Sequence, residues 1–466
     1  MTKKDYLCTL FIMQKHKILL TNIIDYKMDK TNNSIDIKEL YDIFNQYKNI
    51  TTDSRKIEAG DLFFALKGDN FDGNVFAKDA LAKGAAYCII DNPSYKINER
   101  CILVEDVLST LQSLAAYHRQ QLQIPIIAVT GTNGKTTTKE LVKCVLSKKY
   151  RTYATIGNLN NHIGVPLTLL SITDNIQIAI VEMGANHPGE IDFLCKIAQP
   201  NYGLITNVGK AHLEGFGSFE GVINTKTELY RHLKAKNGMV FVNSANEILM
   251  NKSEEINRVI YGNAETADCK GAYRSSNPCL KFYFENGDIV YSVDTQILGS
   301  YNFENAMAAV AVGKYFNVDL FDVKTALEEY TPTNKRSQIK ETEHNSLILD
   351  CYNANPSSMK VAIENFGEMK TTNNKVVILG AMKELGIDSD TEHKNVVEII
   401  NKYSFDKIIL IGNEFSFAQN MQNENFKWFA TTIEAKDFLT NYNIINSTIL
   451  LKGSNSMKID SLEEIF

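Results

Sequence analysis

None of the eight cysteines stands in a C-x-x-C pair. They are scattered at 8, 88, 101, 144, 195, 269, 279 and 351, which argues against a thiolate metal knuckle or a redox dithiol and reads as reduced, buried thiols. No apolar run approaches the roughly 20 residues needed to cross a bilayer. Positive charge is not in excess: 49 Lys and Arg face 55 Asp and Glu, for a net charge of -6. A general nucleic-acid binder would carry basic patches, so that class is set aside. Internal repeats and low-complexity tails are missing too. So is a secretory signal, because Lys15, His16 and Lys17 interrupt the apolar pieces of residues 1–33 and no small-residue cleavage site follows. That stretch reads as a disordered extension or a start placed too early, with Met28 as the alternative start.

What is present is ordinary globular material, 44% hydrophobic and 22% charged over 466 residues, enough for about three domains. Residues 34–124 read as a small α/β domain. It opens on an amphipathic helix with Ile37, Leu40, Tyr41, Phe44 and Tyr47 on one face. The pattern changes at Pro125. From there to residue 332 the strands "IIAVT", "IAIVEMG", "YGLITNVG" and "GMVFVN" alternate with helical stretches, which argues for a parallel sheet covered by helices. "TPTNKRSQ" reads as a connector. Residues 333–466 carry a third series, "SLILDCYN", "KVVILGAM", "KIILIGNE" and "STILLKGS", a second doubly wound sheet. Such sheets bind ligands beyond the carboxyl ends of their strands, where Asp350, Gly380, Gly412 and Lys452 fall.

One more absence is instructive. The common phosphate loop, G-x-x-x-x-G-K-[ST], requires glycine at 129, and Val129 is there. In "IIAVTGTNGKTTTKELV" the first glycine is Gly131. A strand, a glycine turn and a helix opening on Lys135 still make a phosphate grip. Glycines let backbone N–H groups approach phosphate oxygens, and the helix N-terminus adds positive potential. Lys135 reaches the outer phosphates and Thr136 offers a hydroxyl to Mg2+. The other reading is a glycine turn with a solvated lysine. Glu182 ends an apolar strand, where it serves as a metal ligand or as a salt-bridge or capping carboxylate. His212 lies past the next strand end and joins it in a magnesium site or serves structure alone, imidazole being unusual for Mg2+. Lys226 by itself reads as a helix-surface lysine. Asn302 and Asn305, three apart, either share one functional helix face or serve as an N-cap and a polar surface residue.

Seven segments taken together resemble the Mur ligase family of ATP-dependent amide-bond synthetases: "TGTNGKTTT", "NLNNHIGVPLTLL", "VEMGANHPGEI", "ITNVGKAHLEGFGS", "NKRSQ", "DCYNANPSS" and "LKGSNSMK". They run in order over most of the chain from about Thr51 to Ile459. Within the family, "YNANP" and "TDSRKIEAGDLFFALKGDNFDGNVF" are similar to the member that adds a D-alanyl-D-alanine dipeptide. The resemblance implies a three-domain α/β architecture. A small N-terminal domain holds a UDP-linked substrate, a central P-loop-type domain holds ATP, and a Rossmann-like domain closes the chain. It implies an ATP-dependent ligase of peptidoglycan precursor synthesis, a cytoplasmic monomer. The γ-phosphate goes to a carboxylate of UDP-N-acetylmuramoyl-tripeptide, and the amine of D-alanyl-D-alanine attacks the acyl phosphate.

The resemblance also implies residue roles. Gly131, Thr132, Asn133, Gly134, Lys135, Thr136 and Thr137 would hold ATP, with Asn302 and Asn305 beside the base and Arg336 and Asp350 reaching in from the third domain. Thr136, Glu182, His212 and Lys226 would hold Mg2+, Lys226 as a carbamate. Lys135, His212 and Lys226 form the catalytic set. Asn353 and Asn355 would meet the dipeptide in a turn stiffened by Pro356, Asn160 and Asn161 the tripeptide, and Ser54 and Arg55 the uridine nucleotide. There are departures: Ala381 and Ala245 stand where the family commonly has aspartate, and residues 1–33 have no counterpart. Sister ligases, including those extending folate, lack "YNANP". A silent nucleotide-binding regulator predicts damage at Lys135, Glu182, His212 or Lys226, and all four are present. A dinucleotide dehydrogenase would need G-x-G-x-x-G after the strand.

Overall fold

In the computed structural model, which describes residues 35–209 and 213–466, the two strands nearest the phosphate loop are buried along their whole length. Residues 1–33 and His212 lie outside the described residues. The chain forms two compact units.

The first unit comprises residues 35–124, 155–175 and 192–199. Its first helix, α1 (Ile37–Tyr47), is capped by Asp36 and buries Leu40 and Phe44. Four short strands pair in parallel and in chain order: β1 (Ile50–Thr51), β2 (Leu62–Phe64), β3 (Tyr87–Ile90) and β4 (Cys101–Leu103). Helix α2 (Val107–Gln121), capped by Asp106, packs His118 edge-on against Phe44 of α1, ring centroids 5.3 Å apart.

The second unit holds residues 125–154, 176–191 and 200–466. Its larger sheet is built around β5 (Ile126–Thr130). Strands β6 (Thr152–Ala154), β7 (Ile178–Glu182), β8 (Tyr202–Ile205), β9 (Met239–Asn243) and β10 (Asn257–Gly262) run parallel to it in the order β6-β7-β5-β8-β9-β10. Both faces of such strands are covered, which is why "IIAVT" and "IAIVE" are continuous apolar runs and do not alternate. Helices α3 (Lys135–Ser147) and α5 (Asn302–Tyr315) share one core, where Leu141, Val142 and Val145 meet Ala306–Val312. Helix α4 (Phe219–Lys226) carries Lys226 at its end.

The sheet also contains a segment that the parallel pattern did not announce. β11 (Cys269–Ser276), β12 (Cys279–Asn286) and β13 (Ile289–Leu298) extend it as an antiparallel meander. Leu280, Phe282 and Phe284 alternate with exposed or half-buried neighbours, the period-two signature of a half-buried strand.

The smaller sheet of this unit has the order β14-β15-β19-β16-β17-β18. These are β14 (Gln338–Glu341), β15 (Asn345–Asp350), β16 (Asn374–Gly380), β17 (Lys407–Ile411), β18 (Phe426–Phe429) and β19 (Ser447–Lys452). Only β14, at the edge, is antiparallel. Helix α6 (Pro356–Glu368) links β15 to β16 across the intervening β19, so the strand order breaks there and a crevice opens at the carboxyl ends. A cavity of about 230 Å³ lies at that crevice, lined by Asn353, Asn355, Lys383, Leu385, Ser454 and Asn455, among others. No helix among the described residues is long and apolar enough to cross a membrane.

Candidate active site

The turn after β5 is tight because two glycines make it so. Gly131 has φ +141°, and a Cβ there would lie 2.0 Å from Thr206 Oγ1. Gly134, at φ +77°, caps α3, and a Cβ there would lie 2.6 Å from Asn305 Oδ1. The loop is then fastened to the residues after β8. Thr132 N–H donates to Asn207 O at 3.0 Å and Asn133 N–H to Asn207 Oδ1 at 3.0 Å. Asn133 O accepts from Thr206 Oγ1 at 2.6 Å and Asn207 Nδ2 at 3.1 Å. We expect Gly131→Ala to cost about 2–3 kcal/mol, through left-handed backbone strain and the clash with Thr206. Urea unfolding and nucleotide titration check it, and wild-type values in both would rule it out.

The Lys135 ammonium folds back into this loop, donating to Gly131 O at 2.8 Å and Thr132 O at 3.0 Å. Burial brings its pKa down to about 8, against the pull of Glu182 and with the help of Arg336. Thr136 follows, its hydroxyl donating to Glu182 Oε2 at 2.9 Å, both residues buried. Thr137 lies half-buried in the same first turn. Among the described residues no group of three His, Cys, Asp or Glu is arranged to hold a metal ion. What the site offers is a hydroxyl and a carboxylate side by side, hard oxygen donors of the kind Mg2+ selects.

Lys226 is not a surface lysine. It is 2% exposed, because α4 turns Val222, Ile223, Thr225 and Lys226 inward. Its ammonium has Ala185 O at 3.3 Å and sits 5.2 Å from the Phe216 ring centroid. Burial, then repulsion from Lys135, brings its pKa to about 7 in spite of Glu190 and Glu228.

Asn302 and Asn305 are also interior, which sets aside the alternative of a cap and a surface residue. Tyr301 occupies the cap position of α5 and makes no side-chain cap bond. Asn302 Nδ2 donates to Leu298 O at 2.7 Å, Asn305 Nδ2 to Asn302 Oδ1 at 2.8 Å, and Thr138 Oγ1 to Asn305 Oδ1 at 3.0 Å. The pair thus supports the loop from beneath.

From the smaller sheet, the Arg336 guanidinium lies over the Tyr352 ring, 3.6 Å from its centroid, a cation–π stack that fixes its direction. Asp350 accepts from Lys452 Nζ at 2.6 Å, and that buried ammonium also donates to Asn353 O at 3.2 Å. "NANPSS" is a helix start. Asn355 caps α6 in a capping box with Ser358, and Pro356 takes the first helical position, where its missing N–H costs nothing. Pro356 therefore opens a helix and does not stiffen a free turn. Asn353 is exposed, and its Oδ1 accepts from Ala354 N–H at 2.8 Å. Ala381 is fully buried in the core with Leu379 and Met382, where an aspartate would be costly without a partner.

In the first unit, Arg55 is exposed and forms a two-point pair with Asp53, both contacts at 2.8 Å, beside half-buried Ser54. Asn161 Oδ1 accepts from Ile163 N–H at 3.1 Å and Gly164 N–H at 2.9 Å, starting the helix Gly164–Leu170, with Asn160 just before it. Lys452, Tyr352 and Ser357 were not singled out from the sequence as site residues. Lys452 had been noted at a strand end with Asp350, but only the strand order puts them side by side.

Three family models match successive parts of the chain. Residues 46–125 match the Mur ligase family catalytic domain, 129–313 the Mur ligase middle domain, and 335–455 the Mur ligase glutamate ligase domain. The chain belongs to the Mur ligase family, with its three-domain α/β fold. Within it, the chain is 35% identical over 422 residues to the UDP-N-acetylmuramoyl-tripeptide–D-alanyl-D-alanine ligase of Bacillus subtilis, covering 89% of this chain and 92% of the relative. The structure of MurF from Acinetobacter baumannii superimposes with a TM-score of 0.80 at 33% identity, over 90% of this chain and 93% of that one. MurF from Thermotoga maritima, solved in complex with ADP, superimposes with a TM-score of 0.77 at 28% identity, over 90% and 97%.

Proposed function

We propose that this chain joins D-alanyl-D-alanine to UDP-N-acetylmuramoyl-tripeptide at the expense of ATP, in the cytoplasmic stage of peptidoglycan precursor synthesis. The products are the UDP-linked pentapeptide, ADP and phosphate. One observation carries the reading: Lys135 folds onto the loop of the middle domain, the next residue, Thr136, bonds Glu182, and the buried Lys226 amine feels the Lys135 charge. Relatives of 35% identity over 89% of the chain supply the substrate class.

The phosphate loop from Gly131 to Gly134 would cradle the β and γ phosphates with the amides that Asn207 does not hold, those of Thr132 and Asn133 being tied to it; Thr137 lies beside them, and Lys135 leaves its two carbonyls to join them. Thr136 and Glu182 would hold Mg2+, with carbamylated Lys226 and His212 completing the set, and the ion would supply charge neutralisation for phosphoryl transfer. A carboxylate oxygen of the tripeptide forms the new P–O bond and ADP leaves. Arg336, held on Tyr352, faces the developing charge. The dipeptide amine then attacks the acyl carbon, phosphate leaves with the C–O bond pair, and the nitrogen gives up a proton. The crevice of β15, β19 and β16 takes the dipeptide, with Asn353 and Asn355 on its amide and Lys383 near its carboxylate. Asn302 and Asn305 back the nucleotide, with Asp350 beside it. Ser54 and Arg55 take the uridine nucleotide, and Asn160 and Asn161 the tripeptide. The domain divisions 34–124, 125–332 and 333–466 belong to this reading, as does a monomer.

The test is phosphate release from ATP with Mg2+ and UDP-N-acetylmuramoyl-tripeptide, with and without D-alanyl-D-alanine. Release is expected to depend on the dipeptide, with product mass increased by the dipeptide less one water. Release supported only by a single amino acid or a folate would assign the chain to a sister ligase.

A further inference from the structure

Asn133 is held twice. Its backbone is part of the phosphate loop, tied to Thr206 and Asn207. Its side chain belongs to a different set of bonds. Asn133 Nδ2 donates to Ser357 Oγ at 2.9 Å, Ser357 Oγ donates to Asn355 Oδ1 at 2.9 Å, and Asn355 Nδ2 donates back to Asn133 Oδ1 at 2.8 Å. Three side chains close a ring in which every donor points the same way round. Each bond polarises the next, and turning either amide over would set donor against donor. Asn355 Oδ1 also accepts from Ser358 N–H at 2.9 Å, so the ring is anchored in the cap of α6.

We infer that this ring couples the two halves of the reaction: Asn133, through Ser357 and Asn355, is a positioning residue that relays the state of the phosphate loop to the segment facing the dipeptide. The inference rests on the ligase reading. Its physical basis is the loop itself. Lys135 now bonds Gly131 O and Thr132 O, and it must leave both to meet a phosphate. Asn133 is the next residue, so a shift of Thr132 moves the amide that holds Ser357 and Asn355. Coupling of this kind is reciprocal: bound dipeptide strengthens nucleotide binding by the same factor.

The experiment uses the full chain with UDP-N-acetylmuramoyl-tripeptide and a non-hydrolysable ATP analogue. The Kd of the analogue is measured with and without saturating D-alanyl-D-alanine. In the wild type the dipeptide tightens the analogue by about fivefold or more. Ser357→Ala removes the ring hydroxyl and leaves the Asn355 cap on Ser358 in place. Its ratio should fall to about one while the Kd of the analogue alone stays within about twofold, and Ser357→Thr should restore the wild-type ratio. An unchanged ratio in Ser357→Ala overturns the inference. So does weaker analogue binding with the ratio intact, which is what general loosening would give. A wild type that consumes no D-alanyl-D-alanine fails the ligase reading instead, and the turnover assay separates the two.

Discussion

Replacing Lys226 by glutamine should lower kcat by about 10²- to 10³-fold, the size of losing one preorganised electrostatic contact at the reacting group. The chain should still bind nucleotide. The argument starts from burial. Lys226 is 2% exposed, and desolvation with the nearby Lys135 charge brings its pKa to about 7. Glu190 and Glu228 oppose that shift without cancelling it. Near neutral pH a large share of the amine is therefore uncharged and nucleophilic. We expect its nitrogen to attack the carbon of CO2: one N–C bond forms, a C=O π pair moves onto oxygen, one proton leaves, and the product is an anionic carbamate. Repulsion from Lys135 would then become attraction, and the site would gain an anionic oxygen donor. Glutamine keeps much of the shape and cannot take CO2. The sign of the pH dependence follows: as pH falls through about 7 the amine protonates, and activity in CO2-poor buffer should fall with it. Added bicarbonate should raise wild-type turnover and leave the variant unchanged. Native mass should show one CO2 on the wild type alone. Wild-type kcat in Lys226→Gln would remove the carbamate from the mechanism.

The second large effect is on stability. Lys452→Met should destabilise the second unit by about 3–5 kcal/mol, the range for breaking a buried ion pair on one side. The ammonium is almost wholly enclosed, its side chain 2% exposed against 19% for Asp350. It satisfies both the carboxylate and the carbonyl of Asn353. Removing it leaves a carboxylate in a crevice with no counter-charge, and it frees the Asn353 carbonyl on the route to "NANP". Asp350→Asn combined with Lys452→Met should recover most of the loss, because no unpaired charge remains. Urea midpoints for the two single variants and the double variant measure the coupling. A single-variant loss under about 1 kcal/mol, typical of an exposed pair, would show the bridge to be dispensable.

Much of the candidate site was legible because its signals are local. "AVTGTNGKTTT" encodes a strand, a turn and a helix within one short segment, and the glycines mark backbone that other residues cannot adopt. Glu182 was legible for a similar reason, since a carboxylate after five apolar residues must emerge at a strand end. The antiparallel meander was not called, although Leu280, Phe282 and Phe284 carry its alternation. Asn302 and Asn305 look polar and exposed along the helix, and only the covering loop makes them interior.

The sequence by itself determined the strand, glycine turn and helix around Lys135, the run of strand ends and the family, because each depends on neighbours close along the chain or on segments read in order. Only the tertiary structure decided that Lys226 is buried, that Asp350 meets Lys452 at 102 residues' separation, and that Asn133 meets Asn355 at 222. The physical reason is the same in each case. Burial depends on what packs over a side chain, and partnership across a sheet depends on strand order, neither of which is written in the spacing of the residues themselves.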